Sequence, residues 1–296
     1  MTHQPTFSLE TDDLTLEIAR PGSRDEHLAT RFSPAAHILQ VRYQAHSYLF
    51  DRGSPMEFDI GERTVPPGFE GCRPGERFVK IGVGLLERES ADPYRFAGTY
   101  PVRARPDTSV SIEKTRARFT QELEPREEPL GYRLVVDLAV QGNSVKIDYA
   151  LRNLGEAPFQ TEQYLHNFSC FDNAPLSTDY SVSIDYAYEV CDSIGNRLDE
   201  PDTGLVRPVD PRTFGFDPSA AEERRKLFFR PTEGDARHRW SIDNEATGTG
   251  MTIEADRPPQ ISALYVTRDQ ISPEMNVTRT VEPNATARWT RCYEFR

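Results

Sequence analysis

The 296-residue sequence contains no apolar run of about 18 residues, so no segment is expected to cross a membrane as a helix. It has no surplus of cations: 35 Lys and Arg stand against 47 Asp and Glu, a formal charge of −12. Nucleic acids and anionic membranes are bound through surplus positive charge, so neither is an expected partner. Cysteine is sparse, and Cys72, Cys170, Cys191 and Cys292 form no C-x-x-C pair. The start, Met1-Thr2-His3-Gln4-Pro5, shows no cationic stretch followed by an apolar one. A cytoplasmic protein with reduced thiols is the expectation. Lysine is equally scarce: Lys80, Lys114, Lys146 and Lys226 are the whole set. Motifs of common chemistries are missing too. There is no H-x-H, no H-E-x-x-H and no clustered Cys/His, and no Walker loop, G-x-G-x-x-G or G-x-S-x-G. No metal and no cofactor are expected.

What is present is strand-forming. The 16 Phe and 12 Tyr argue against disorder. Leu14, Leu16 and Ile18 alternate with polar residues, and Ile38 and Val41 open a stretch through Tyr43. Tyr132 to Leu151 alternates on both sides of Gly142-Asn143, which predicts a hairpin whose glycine supplies positive φ. Tyr180 to Val190 alternates as one long set, and Val79 to Leu85 reads as a buried strand. Met251 to Ile253, Ile261 to Val266 and Trp289 to Phe295 complete the tail. One short helix is expected from Pro218 to Phe228, capped by Asp217. Ser193 to Asp217 is read as a long functional loop. The fold class predicted is all-β, one large antiparallel β-sandwich spanning 1–296 as a single domain.

Candidate chemistry is thinly spread. His166 lies within Thr161-Glu162-Gln163-Tyr164-Leu165-His166-Asn167-Phe168-Ser169-Cys170-Phe171-Asp172, a dense mix of aromatic and polar groups. Imidazole titrates near ~6.5 and can exchange a proton at working pH. The alternative is a half-buried ring bonded to backbone. Glu274 is read as a carboxylate in a loop above a sheet, a base if burial raises its pKa and otherwise a solvated side chain. Lys80 interrupts an apolar strand and must face solvent, a carboxylate or a polar cleft. Arg31, Arg77 and Arg88 are similar in kind and more easily explained as surface residues. The glycosylation-like triplets at Asn167, Asn276 and Asn284 are taken as chance.

Three segments resemble the galactose mutarotase-like superfamily, which contains the aldose 1-epimerases. Tyr164-Leu165-His166-Asn167-Phe168, followed by Phe171-Asp172, is similar to the central segment that carries the general-acid histidine. Ile271-Ser272-Pro273-Glu274, with Glu282-Pro283-Asn284 and Trp289 to Phe295, resembles the C-terminal segment that carries the general-base glutamate. Arg77-Phe78-Val79-Lys80-Ile81-Gly82-Val83-Gly84 with Tyr94-Arg95-Phe96 resembles a motif of a poorly characterised bacterial and archaeal branch. That motif stands where mutarotases carry substrate-contacting Arg and His. The resemblance implies a β-sandwich enzyme that interconverts sugar anomers without metal or cofactor, and it allows a homodimer. It makes His166 the acid and Glu274 the base, with Lys80, Arg77, Arg31, Glu162 and Tyr164 holding the sugar. No histidine lies between His46 and His166, so the role of the family's second histidine is vacant or has passed to another residue such as Lys80. A cationic pocket would point to a phosphorylated or uronic sugar. Two rival functions remain. One is a lyase or C–H epimerase using Lys80 as base. The other is a carbohydrate-binding protein with Tyr164, Phe168, Phe171 and Trp240 as its platform.

Overall fold

The computed structural model describes residues 5–23, 30–126, 129–220, 222–232, 238–257 and 259–296. His3, His27, Ala221 and Pro258 lie outside them. Alternating sequence becomes antiparallel sheet almost throughout. A ten-stranded sheet is centred on the hairpin Tyr132–Gln141 and Ser144–Asn153, with Thr286–Phe295 beside it. A second sheet runs Thr6–Glu10, Leu14–Ala19, Phe32–Tyr43, Ser54–Phe58, Phe159–Leu165, Val277–Val281. One hydrophobic core joins the two, with Leu134, Val136, Ile147 and Leu151 from the first and Leu16, Ile18, Met56 and Leu165 from the second. All eight are at most 2% exposed, which is the burial an all-β layer fold needs. The predicted antiparallel sandwich is therefore observed. A four-stranded sheet, Tyr188–Cys191, Arg224–Pro231, Ser262–Thr267 and Ile271–Met275, stands as a separate wall.

Four expectations are corrected. Residues 79–85 are not one strand: Arg77–Lys80 and Gly84–Glu87 form a hairpin. Gly82, at φ +82°, makes the turn between them. Tyr180 to Val190 splits into Tyr180–Ile184 and Tyr188–Cys191, which belong to different sheets. The predicted helix is absent among the described residues. Asp217 accepts from the Ser219 N–H at 2.9 Å in a turn, and Arg224–Pro231 pairs as a strand with Ser262–Thr267. Leu227, Phe228 and Phe229 suit the pleated sheet better than a helix there. The loop expected from Ser193 to Asp217 contains the hairpin Val206–Asp210 and Thr213–Phe216.

Candidate active site

The site grows from one strand with two demanding faces. In Phe159–Leu165, Gln163 and Leu165 point into the sandwich, where Gln163 accepts from Trp289 Nε1 at 3.1 Å. Glu162, Tyr164 and, one step on, His166 point the other way. Tyr164 lies opposite Glu57 in Ser54–Phe58, and Glu57 lies opposite Phe32. Opposed residues share a face, so Phe32, Glu57 and Tyr164 form one row of a floor. The wall is built by the same rule. Lys226, Tyr265 and Ser272 stand in register across its strands, and Phe228, Ala263 and Glu274 form the next row.

Floor and wall meet at His166. Its Nδ1 is 3.0 Å from Ser272 Oγ, and its Nε2 is 3.4 Å from Glu274 Oε1. The ring stacks on Phe168, with centroids 4.0 Å apart, and meets Tyr265 edge-on. Burial, reinforced by the nearby Arg31, Lys226 and Arg52 charges, lowers the imidazole pKa to about 3, so the ring is neutral at working pH. Glu274 is 1% exposed. Its Oε2 accepts an ion pair from Lys226 Nζ at 2.9 Å, while Oε1 has no hydrogen-bond partner. Glu274 thus lies in the strand Ile271–Met275, not in the expected loop.

Behind this pair, Arg31 clamps the buried Glu57 carboxylate through Nε at 3.0 Å and Nη2 at 2.9 Å. Tyr164 donates its hydroxyl to the same carboxylate. The Arg31 guanidinium lies between the Phe32 and Phe96 rings, 4.4 and 4.6 Å from their centroids. Burial opposes its charge, but the Glu57 carboxylate outweighs burial and raises the Arg31 pKa. Glu162 is held by Arg63 at 2.6 Å and by Asn276 Nδ2 at 2.7 Å. Burial raises the Glu62 pKa, and the neighbouring Glu162 and Glu274 add to the rise.

Of the seven residues singled out in the sequence, the fold brings five to this region: His166, Glu274, Arg31, Glu162 and Tyr164. Two are elsewhere. Lys80 is fully buried and donates to Asp59 O and Tyr94 Oη, each at 2.8 Å, and to Phe58 O. Burial lowers its pKa to about 8, and its three donors are already taken by these partners, unlike the unpartnered Glu274 Oε1. It braces the back of the Glu57 strand. Arg77 points to the other side of that hairpin and lines a groove of about 530 Å³ with Arg103, Arg105 and Glu122. Tyr164, Phe171 and Trp240 are at most 2% exposed, which rules them out as an open aromatic platform. Glu57, Arg63, Lys226, Ser272 and Asn276 were missed. Lys226, one of four lysines set beside Leu227-Phe228-Phe229, and Glu57, a charge inside Pro55-Met56-Glu57-Phe58, were the readable signals.

No family model and no curated protein matches the chain. Solved structures do. A galactose mutarotase-like protein from Lactobacillus casei ATCC 334 superposes with a TM-score of 0.63 at 12% identity, covering 98% of this chain and 100% of that one. A GalM/aldose epimerase homologue from C. elegans gives 0.61 at 11% identity, covering 98% of each chain. Galactose 1-epimerase from Lactobacillus acidophilus NCFM gives 0.57 at 12% identity, covering 98% and 94%. From end to end, then, the chain has the galactose mutarotase-like fold.

Proposed function

We propose that the protein interconverts the anomers of a neutral aldose by acid/base opening and closing of the sugar ring. One observation carries this reading: His166 Nε2 stands 3.4 Å from the one unpartnered oxygen of a buried glutamate. A hemiacetal presents two oxygens on one tetrahedral carbon, and these lie closer together than that gap. Hydrogen bonds can therefore converge from the two protein atoms onto the anomeric hydroxyl and the ring oxygen. Glu274 Oε1 takes the hydroxyl proton. With Ser272 donating to Nδ1, the neutral His166 keeps its proton on Nε2 and donates it as a hydrogen bond to the ring oxygen while the C–O bond breaks. The proton on Glu274 passes to that ring oxygen, 3.4 Å being the gap between Oε1 and the imidazole nitrogen that holds it, so the carboxylate is restored and the imidazole stays neutral. The exposed carbonyl rotates, and reclosure in reverse gives the other anomer. Lys226 holds the other carboxylate oxygen of Glu274 by its 2.9 Å ion pair.

Charge argues for a neutral sugar. Arg31 is spent on Glu57, Arg63 on Glu162 and Lys226 on Glu274. The cationic pocket that would select a phosphate or uronate is therefore neutralised from within. The sealed Lys80 gives no support to a lyase or C–H epimerase that uses it as base.

The test is NMR of freshly dissolved single anomers of D-glucose, D-galactose, D-mannose and D-xylose, with sugar phosphates and uronates alongside. Catalysed interconversion of a neutral sugar, abolished in Glu274→Gln, supports the reading. No acceleration with any of them overturns it.

A further inference from the structure

Residues 271–281 run as one extended stretch broken only at Asn276. Its alternation puts Met275 and Val277 into the core. Glu274, Asn276 and Thr278 fall on the opposite, site-facing side. Thr278 lies opposite Glu162 on the neighbouring strand, so Glu162 joins this row. Glu162 and Asn276 are 1% and 2% exposed.

Their hydrogen bonding is incomplete in one consistent way. Asn276 spends its amide N–H on Glu162 Oε1, and Arg63 spends two N–H groups on that same oxygen. Glu162 Oε2, Asn276 Oδ1 and Thr278 Oγ1 are left buried with no partner, beside the equally unpartnered Glu274 Oε1. Buried acceptors facing no donor are rare in folded proteins and call for a ligand or ordered water. A cation would gain little here, since Arg63 and Lys226 already balance the two carboxylates. Neutral hydroxyl donors meet the need. A two-residue step along a strand covers about 6.6 Å, roughly the breadth of a pyranose ring.

We propose that Glu162, Asn276 and Thr278 form a hydroxyl-reading subsite beside Glu274, which selects an aldose with free hydroxyls on C2, the carbon next to the reacting one, and on the ring carbon beyond it. This rests on the placement of the reacting carbon at Glu274 given above. Asn167-Phe168-Ser169 and Asn276-Val277-Thr278 are accounted for as well: both asparagines are buried, and Asn276 serves the site.

The experiment is calorimetric titration of the wild type, Thr278→Val and Glu162→Gln with D-glucose, D-galactose, D-mannose and their single-position deoxy analogues. Each variant is expected to weaken the best-bound aldose by about tenfold or more. The deoxy analogue lacking the hydroxyl being read is expected to lose nothing further in the variant. Equal losses for all analogues, no loss, or no binding by any of these sugars would overturn the subsite, leaving water as the partner of the orphan atoms. Thr278→Val leaves the Arg63 ion pair intact, so it decides the matter if Glu162→Gln fails to fold. If the wild type binds selectively but never interconverts anomers, the isomerase reading fails and the subsite stands. If it interconverts them and Thr278→Val changes no selectivity, the subsite alone fails.

Discussion

Two side chains decide the residue scale. His166 is kept neutral by burial, with a pKa near 3 in place of 6.5. As pH falls below about 6.5 the unfolded chain takes up this proton and the folded one does not, so stability is lost progressively towards pH 3. Asp59 works the other way: burial, partly offset by Lys80, raises its pKa to about 6 from 3.8, so the folded form takes its proton first. Comparison with His166→Gln isolates the histidine. The variant's melting temperature should fall less than the wild type's between about pH 6.5 and 4. Parallel curves would show that the ring is not held neutral. Lys226 is the second. Lys226→Met removes the ammonium 2.9 Å from Glu274 and should slow anomer interconversion about tenfold or more, with Lys226→Arg recovering most of the rate. An unchanged rate in Lys226→Met would remove the lysine from the account.

At the scale of elements, the hairpin of Arg77–Lys80 and Gly84–Glu87 is scaffold. Lys80→Met would leave the Phe58 and Asp59 carbonyls and the Tyr94 hydroxyl without their shared donor. We expect destabilisation by about 1–3 kcal/mol in urea unfolding, with the catalysed rate retained. A stable protein that has lost its rate would return Lys80 to the chemistry. Gly82 holds φ +82°, and a Cβ there would meet Ser33 Cβ at 2.6 Å. Gly82→Ala should therefore cost about 1–3 kcal/mol by the same assay, and a neutral effect would contradict the turn. These elements also show what sequence could tell. Leu134, Val136, Leu138 and Val140 face one core, so their period of two was plain. Glu162, Tyr164 and His166 alternate with Gln163 and Leu165, but both faces are buried for different reasons, and no hydrophobic contrast marks the strand. In sequence Pro273 reads as a turn, which places Glu274 in a loop. On an edge strand the missing proline N–H costs no ladder bond. Lys226 and Ser272 join the site only through register across Ser262–Thr267, which no local pattern specifies.

Across the whole molecule, two residues 108 positions apart in sequence, His166 and Glu274, meet because a wall sheet folds onto the floor of a sandwich. The antiparallel class was legible from alternation and turns, whereas the crossover of strands between four sheets was not. The molecule carries a net charge of −12, yet at its site Arg31, Arg63 and Lys226 are each paired with a carboxylate. Turnover of a neutral sugar should accordingly vary less than about twofold between about 0.05 and 0.5 M salt, because short buried pairs are poorly screened. A steep fall with salt would instead indicate electrostatic capture of a charged substrate. The most direct test of the central claim is the rate at which a freshly dissolved single anomer approaches equilibrium, followed by NMR with wild type and Glu274→Gln. The account predicts acceleration by the wild type and a loss of at least about a hundredfold in the variant. Equal rates for the two proteins would contradict it.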